Sequence, residues 1–375
     1  MDGKISARQF MIVALLFTVG DAILYSPSWI ANDAGQDAWI GAMAGFAEAL
    51  LLGLLFTSLA KRFPGTGITA MCETVLGRWV GAAAALAYIV FFFLDASLMQ
   101  MEVGDFVTTQ AMPDTPIQFI LVTFGAIALL ASRYGIETFV RVSELIFPWF
   151  LLLIVILVGF TVPQFQFENM QPVFEKGMKP IVSGNLRLLG NFGETVILMM
   201  LVPHVSRLQG AVKAYYMALI FGMVSIVVVT LACILVIGTD IMVLLQYPSY
   251  VLAQKINIGR FFERFEAIMA VIWFITMYMK IGVCFYATVS GLKLLLRLKD
   301  GRPLTFPLGM IGVILGLVMV PNRSYFDKFA TEIWMPYTSV FFLWIPLLLL
   351  IVAILRKKRG KVVSQGSGKD GGNAR

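Results

Sequence analysis

Ten apolar runs, each close to the length a helix needs to cross lipid, dominate the chain. They fall at 10–30, 37–60, 81–108, 116–132, 142–162, 185–204, 214–238, 266–292, 304–320 and 337–355. A hydrocarbon core ~30 Å thick takes about 20 apolar residues in helical form. Only helices or closed barrels satisfy their backbone in that medium. The run at 116–132 is short and that at 266–292 is long, which implies tilt or overhang. Composition agrees, with 59% hydrophobic and 14% charged residues against ~45–50% and ~25% in soluble domains. A soluble core of this chain length cannot hide so much apolar surface. The expected fold class is an all-α polytopic membrane protein with ten transmembrane helices.

The net charge of +7 is not a nucleic-acid signal, because the basic residues lie in short clusters between apolar runs. They set orientation instead. With both termini cytoplasmic, inside segments hold 20 of the 29 lysines and arginines, among them Lys61, Arg62, Arg78, Arg133, Arg141 and the cluster Arg356–Arg359. Outside segments hold eight, including Arg260 and Arg323, and Lys280 lies within a span. The first run, preceded by Lys4 and Arg8, reads as a retained span rather than a cleaved signal, since no small-residue cleavage site follows it. Cys72, Cys233 and Cys284 are widely separated, so neither a metal site nor a disulfide framework is expected. With no nucleotide loop and no nucleophile–base set, no cofactor and no enzymatic activity are expected either.

Within the first run, TVGDAILYSP (18–27) places an acid and two helix breakers where a plain span would have none. Gly frees the backbone and Pro removes a donor. Unwound backbone is tolerated in a membrane only against a cavity or other protein. GETVILMMLVP (193–203) repeats the pattern, aligning Gly20-Asp21 with Gly193-Glu194. The two lie five spans apart, so they cross in opposite directions, as inverted repeats do. Residues 1–162 are thus the expected first five-helix repeat. The second is 163–355, with an interfacial loop at 163–184, and 356–375 is a basic, disordered cytoplasmic tail. A half-helix N-terminus offers N–H groups to an anion, and an acid at the break meets a cation or carries a proton. Together these features suit a zwitterion such as an amino acid. The alternative is two packing kinks with structurally bonded acids.

Other charges lie at depth: Glu48 in span 2; Asp95 and Glu102 on one face of span 3, with Asp105 beyond; Glu144 in span 5; Lys280 in span 8. An ionised group at mid-bilayer is costly, so Lys280 requires a carboxylate. Candidates are Asp21, Glu48, Asp95 and Glu194, with Asp21 and Asp95 leading and Glu48 behind them. Most of the acids would then lack a cation, which suits proton-linked or water-linked chemistry. A fixed ion pair that only sets helix register is the plainer alternative for Lys280. Tyr25 and Trp29 follow the first break on its outward side, where they could gate a ligand. His204, the only histidine, reads as interfacial, and GAMAG (41–45) as a close-packing face.

The opening KISARQFMIVALLFTVGDAILYSPSWIANDAGQDAWIGAMAG resembles the start of GerAB-type endospore germination permeases, the B subunits of spore nutrient germinant receptors. KRFPG (61–65), LGRWVG (76–81), RYGIETFVRVSEL (133–145) and NFGE (191–194) resemble further stretches of that family. The resemblance covers nearly the whole chain. It implies membership of the amino acid/polyamine/organocation transporter superfamily and the LeuT-type 5+5 inverted repeat with broken helices 1 and 6. It also implies a role in the spore inner membrane beside an A subunit and a lipoprotein C subunit. Carried onto this chain, the ligand site comprises Gly20, Asp21, Tyr25, Asp95, Glu102, Gly193 and Glu194, with Glu48 and Lys280 as buried coupling charges. Sodium-coupled relatives hold a cation between spans 1 and 8. Lys280 would supply that charge itself, so no sodium dependence and no metal are expected. The competing readings are a proton-coupled amino acid permease and a membrane scaffold that binds nothing.

Overall fold

The computed structural model describes residues 5–256, 264–320, 325 and 328–360. The tail from 361 onward, Lys4, Arg260 and Arg323 lie outside the described residues. Thirteen helices are needed to follow the chain to the last span. They are α1 (Ala7–Val19), α2 (Ala22–Ala34), α3 (Ala38–Arg62), α4 (Ile68–Leu76), α5 (Arg78–Phe106), α6 (Ile117–Tyr134) and α7 (Ile136–Thr161). There follow α8 (Met178–Gly193), α9 (Leu208–Ile237), α10 (Thr239–Met242), α11 (Pro248–Lys255), α12 (Glu266–Leu295) and α13 (Arg302–Met319). The last span, 329–355, alternates π-helical and α-helical turns. Among the described residues, eight helical stretches are long and apolar enough to cross a membrane, and two shorter apolar ones are Ala7–Val19 and Leu188–Met200. The chain is an all-helical, multi-pass membrane protein.

α1 starts at a capping box, in which Ser6 and Gln9 each bond the other's backbone N–H. It ends at Gly20, whose φ of +32° excludes most side chains. Pro27 does not break the chain: it sits inside α2. Its missing N–H leaves the Ile23 carbonyl without its helical donor, and Ser249 Oγ from α11 donates to that carbonyl at 2.7 Å. Leu24 N–H turns to the Asp21 carbonyl, so the Gly20 carbonyl is also left over. Thr276 Oγ1 of α12 donates to it at 2.8 Å. The break is thus held by hydroxyls from two other helices.

The second glycine–acid pair folds differently. Gly193 is right-handed helical (φ −60°, ψ −37°), and the chain runs on into a fully buried 3-10 helix, Glu194–Met200. The expected loop at 163–184 is shorter than its polar composition suggested, because α8 begins at Met178. Among its described residues the connection at 239–265 contains two helices, α10 and α11, and a further one, α4, fills the turn after α3. All three are shorter than a span and lack an uninterrupted apolar run, so hydropathy passes over them. GAMAG packs as expected: a Cβ on Gly41 would stand 2.8 Å from Ile30, and one on Gly45 2.8 Å from Asn185.

α1 packs on α9, α12 and α7, while α5 packs on α12 and α4. α3 lies against α8 and α9. The α1–α2 break therefore faces α12 and the end of α8. Outward-facing positions such as Leu51, Trp79, Trp149, Val155 and Val318 are exposed and apolar, as a lipid-facing shell requires.

Candidate functional site

Lys280 is 2% exposed and lies between two carboxylates. Its ammonium pairs with Asp21 at the α1–α2 break and with Glu194 at the end of α8. Each acid has a second donor. Asn191 Nδ2 donates to Asp21 Oδ2 at 3.0 Å, and Trp334 Nε1 donates to Glu194 Oε1 at 2.9 Å. The ammonium also stands 5.6 Å from the centre of the Phe17 ring, within cation–π range. Its methylene stem passes directly over Gly20, where an added Cβ would lie 2.6 Å from Lys280 Cδ and 2.8 Å from the Phe17 carbonyl oxygen. Gly20 is therefore doubly required, by its backbone angle and by this stem.

A cavity of about 360 Å³ opens beside this trio. Asp21, Asp95, Glu102 and Glu194 all line it. From there it runs along α2 and α8, past Trp29 and Trp334, to Asp33, Ser183 and Glu332. Asp95 is 2% exposed and accepts from the Cys284 thiol at 3.3 Å. Glu102 Oε2 is buried and has no hydrogen-bond partner among the described residues. The walls are thus aromatic and acidic, with volume for a small organic molecule.

The structure brings together most of the residues singled out in the sequence, with corrections. Asp21, Asp95, Glu102 and Glu194 line one cavity, with Lys280 beside it. The lysine has two partners, Asp21 and Glu194, rather than one, and Asp95 takes the Cys284 thiol instead. Glu48 takes no part. It lies on α3, which faces α8 and α9 and not α12, and its Oε2 has no partner among the described residues. Tyr25 is buried outside the cavity lining, stacked on Trp29 with ring centres 5.4 Å apart and set against Tyr247 and Trp273. Trp29 is the member of that pair that reaches the cavity. At Gly193 the space a side chain would need is filled by the Phe342 ring, so this glycine serves helix packing and not approach to a ligand.

Asp105 is bound by Gln246 and Tyr247 at 2.9 and 2.7 Å, tying α5 to the segment before α11. Glu144 accepts from Gln9 at 2.9 Å, and His204 lies 3.0 Å from the Tyr286 hydroxyl. Among the described residues no cluster of His, Cys, Asp and Glu is arranged to hold a metal.

Sequence reasoning missed Asn191, Trp334 and Thr276. Asn191 had a signal, since it precedes Glu194 by one helical turn and shares its face. Trp334 had none. It reaches Glu194 through the π-helical turn Phe329–Trp334, a register that residue spacing does not disclose.

Residues 4–325 match the model of the family described as "Spore germination protein". Spore germination protein KB of Bacillus subtilis (strain 168) is 27% identical over 95% of this chain and 96% of its own. Spore germination protein B2 of the same organism is 22% identical, covering 96% and 98%. GerLB of Bacillus cereus is 24% identical, covering 96% of each. Among solved structures, the nucleobase-cation-symport-1 transporter Mhp1, closed with bromovinylhydantoin bound, superposes with a TM-score of 0.68 at 14% identity. That match covers 95% of this chain and 79% of Mhp1. MhsT in complex with L-phenylalanine gives 0.66 at 13% identity, covering 95% and 99%. These likenesses establish a LeuT-like transporter fold and a non-enzymatic family. With the family model matching most of the chain and B-type relatives aligned nearly end to end, this protein belongs to the spore germination protein family.

Proposed function

We propose that the chain is the ligand-binding B subunit of a spore germinant receptor in the spore inner membrane. It takes a small nutrient, an amino acid, into the cavity at the α1–α2 break. The observation that carries this is the convergence of Asp21, Asp95, Glu102 and Glu194 on one cavity of about 360 Å³ beside uncapped helical backbone. Leu24 N–H is taken by the Asp21 carbonyl, but no side chain caps the N–H groups before it, and these suit a carboxylate, while the acids suit an ammonium. MhsT, a structural neighbour, carries L-phenylalanine, which makes an amino acid the natural first probe.

The ten-span, five-plus-five arrangement with both termini cytoplasmic belongs to the same reading, with repeats at 1–162 and 163–355. The cavity mouth then faces away from the cytoplasm. B-type relatives with germination names support A and C subunits as partners. Ligand occupancy in this chain would bias those subunits. The second reading, a proton-coupled permease, is favoured by the transporter fold and by Asp95 and Glu102, which make no ion pair among the described side chains.

Binding of labelled amino acids to the purified, reconstituted protein tests the proposal. Saturable binding, with thermal protection by the same ligand, is the expected result. A well-folded protein that binds none of them overturns it. Uptake into sealed proteoliposomes, driven by a proton gradient, would select the permease reading.

A further inference from the structure

The cavity wall carries more carboxyl groups than Lys280 pairs with. Asp21 and Glu194 share its ammonium and have Asn191 and Trp334 as further donors. Asp95 and Glu102 are left on α5. The first is bonded only by a thiol among the hydrogen bonds described, a weak donor. The second has a buried oxygen without a partner among the described residues. A buried carboxylate oxygen without a donor is expensive, and the Asp95 and Glu102 carboxyl groups both line the cavity, where a ligand meets them.

The two acids are also spaced. Seven residues apart on a helix, they share a face and stand about 10 Å apart along its axis. Leu98 and Met99 lie between them, and both line the same cavity. The wall therefore reads carboxylate, apolar stretch, carboxylate. Its complement is ammonium, polymethylene, ammonium. Trp29, Phe329 and Trp334 line the cavity as well, giving further apolar surface for the methylenes and π faces for the cationic groups.

We infer that the Asp95–Glu102 wall is a subsite for a ligand bearing two ammonium groups on a short aliphatic chain, a basic amino acid or a diamine. This rests on the reading of the cavity as the ligand site and narrows it. One ammonium docks at Asp95, the methylenes lie over Leu98 and Met99, and the second ammonium meets Glu102. In a basic amino acid the carboxylate turns toward the first turn of α2.

Three probes of one carbon-chain family test this on the purified full chain in nanodiscs: L-lysine, L-norleucine (lysine without its ε-ammonium) and cadaverine (lysine without its carboxylate). Calorimetry should find lysine about tenfold or more tighter than norleucine, the scale of a charge-assisted hydrogen bond. Cadaverine retaining lysine's affinity assigns the site to diamines, and cadaverine binding more weakly than lysine assigns it to basic amino acids. Glu102→Gln should bring lysine down to the norleucine level, with thermal unfolding confirming that the variant folds. Equal affinity of lysine and norleucine for the unaltered protein overturns the subsite without any variant, and leaves the receptor reading standing. Cadaverine binding where no amino acid binds overturns the amino-acid reading and leaves a diamine subsite, and failure of all three probes overturns both.

Discussion

At Gly20 the chain leaves the helix altogether, at φ +32°, and restarts two residues later. At Gly193 it stays helical at φ −60° and only tightens into 3-10 geometry. Both glycines precede an acid, and both acids hold the same lysine. The difference lies in what occupies the space beside each glycine. Beside Gly20 runs the stem of Lys280, and beside Gly193 the ring of Phe342. The first region is opened so that a charged chain can reach mid-membrane depth, and its freed carbonyls are served by Thr276 and Ser249. The second is compressed so that the last span can pack closely and bring Trp334 to Glu194. One acid is thus presented by a gap in a helix and the other by a helix that continues.

The largest effect is expected at the shared lysine, because both regions depend on it. Lys280→Met strands two buried carboxylates, and breaking such a pair typically costs ~3–5 kcal/mol. Thermal unfolding in detergent should show a sharp loss. The triple change Lys280→Met, Asp21→Asn, Glu194→Gln should recover part of it, since no lone charge is left. Adding only one of the two neutral partners should recover less, because the structure gives the lysine two acids. Recovery as complete with Asp21→Asn alone as with the triple change would mean that Glu194 is not a true partner.

The glycines themselves come next and separate the two regions. Gly20→Ala meets both a left-handed backbone angle and the lysine stem. Strain of the backbone kind costs about 1–3 kcal/mol. Gly193→Ala meets only a ring. A double-mutant cycle of Gly193→Ala with Phe342→Ala should therefore show strong favourable coupling, about 1 kcal/mol or more, because the second change clears the space the first needs. No trimming of Lys280 should rescue Gly20→Ala equally. Equal rescue at both positions would erase the distinction drawn between them.

Much of this was legible in the sequence. An acid beside a glycine inside an apolar run marked both regions, and the lone lysine at depth demanded a carboxylate. The geometry of the second region was not legible. Glycine–acid is written identically at 20–21 and 193–194, and only the neighbour decides whether the glycine bends or merely makes room. That neighbour, Phe342, is nearly 150 residues away in sequence. Pro27 misled for a related reason. It looks like a second breaker, yet the one carbonyl it frees finds Ser249 on α11, a helix of 8 residues that is too short to carry a spanning signal. Asp95 was ranked with Asp21 as a partner for Lys280 because depth alone was counted, and depth does not say which turn of α12 a carboxyl meets: Asp95 meets Cys284, one turn past Lys280.

A smaller effect tests how the first break is serviced. Ser249→Ala leaves the Ile23 carbonyl buried without a donor, at about 1–3 kcal/mol. In a Pro27→Ala background the helix regains the N–H that proline lacks, and the same serine change should cost much less. If Ser249→Ala costs the same with and without the proline, the hydroxyl is not compensating for it.

The smallest effect expected is none, and it bears on what the first region is for. The break at Gly20 faces α12, whose Thr276 hydroxyl already donates to the Gly20 carbonyl. Here the Lys280 ammonium occupies that neighbourhood, already paired to Asp21 and Glu194. A further monovalent cation would face a fixed positive charge within a few ångströms, in a medium where such repulsion is weakly screened. Ligand affinity should therefore be unchanged when sodium is replaced by potassium at constant ionic strength. A clear sodium requirement would show that the lysine does not stand in for a metal ion. The opened helix at Gly20 would then serve cation binding, and its contrast with Gly193 would need a different cause from the lysine stem.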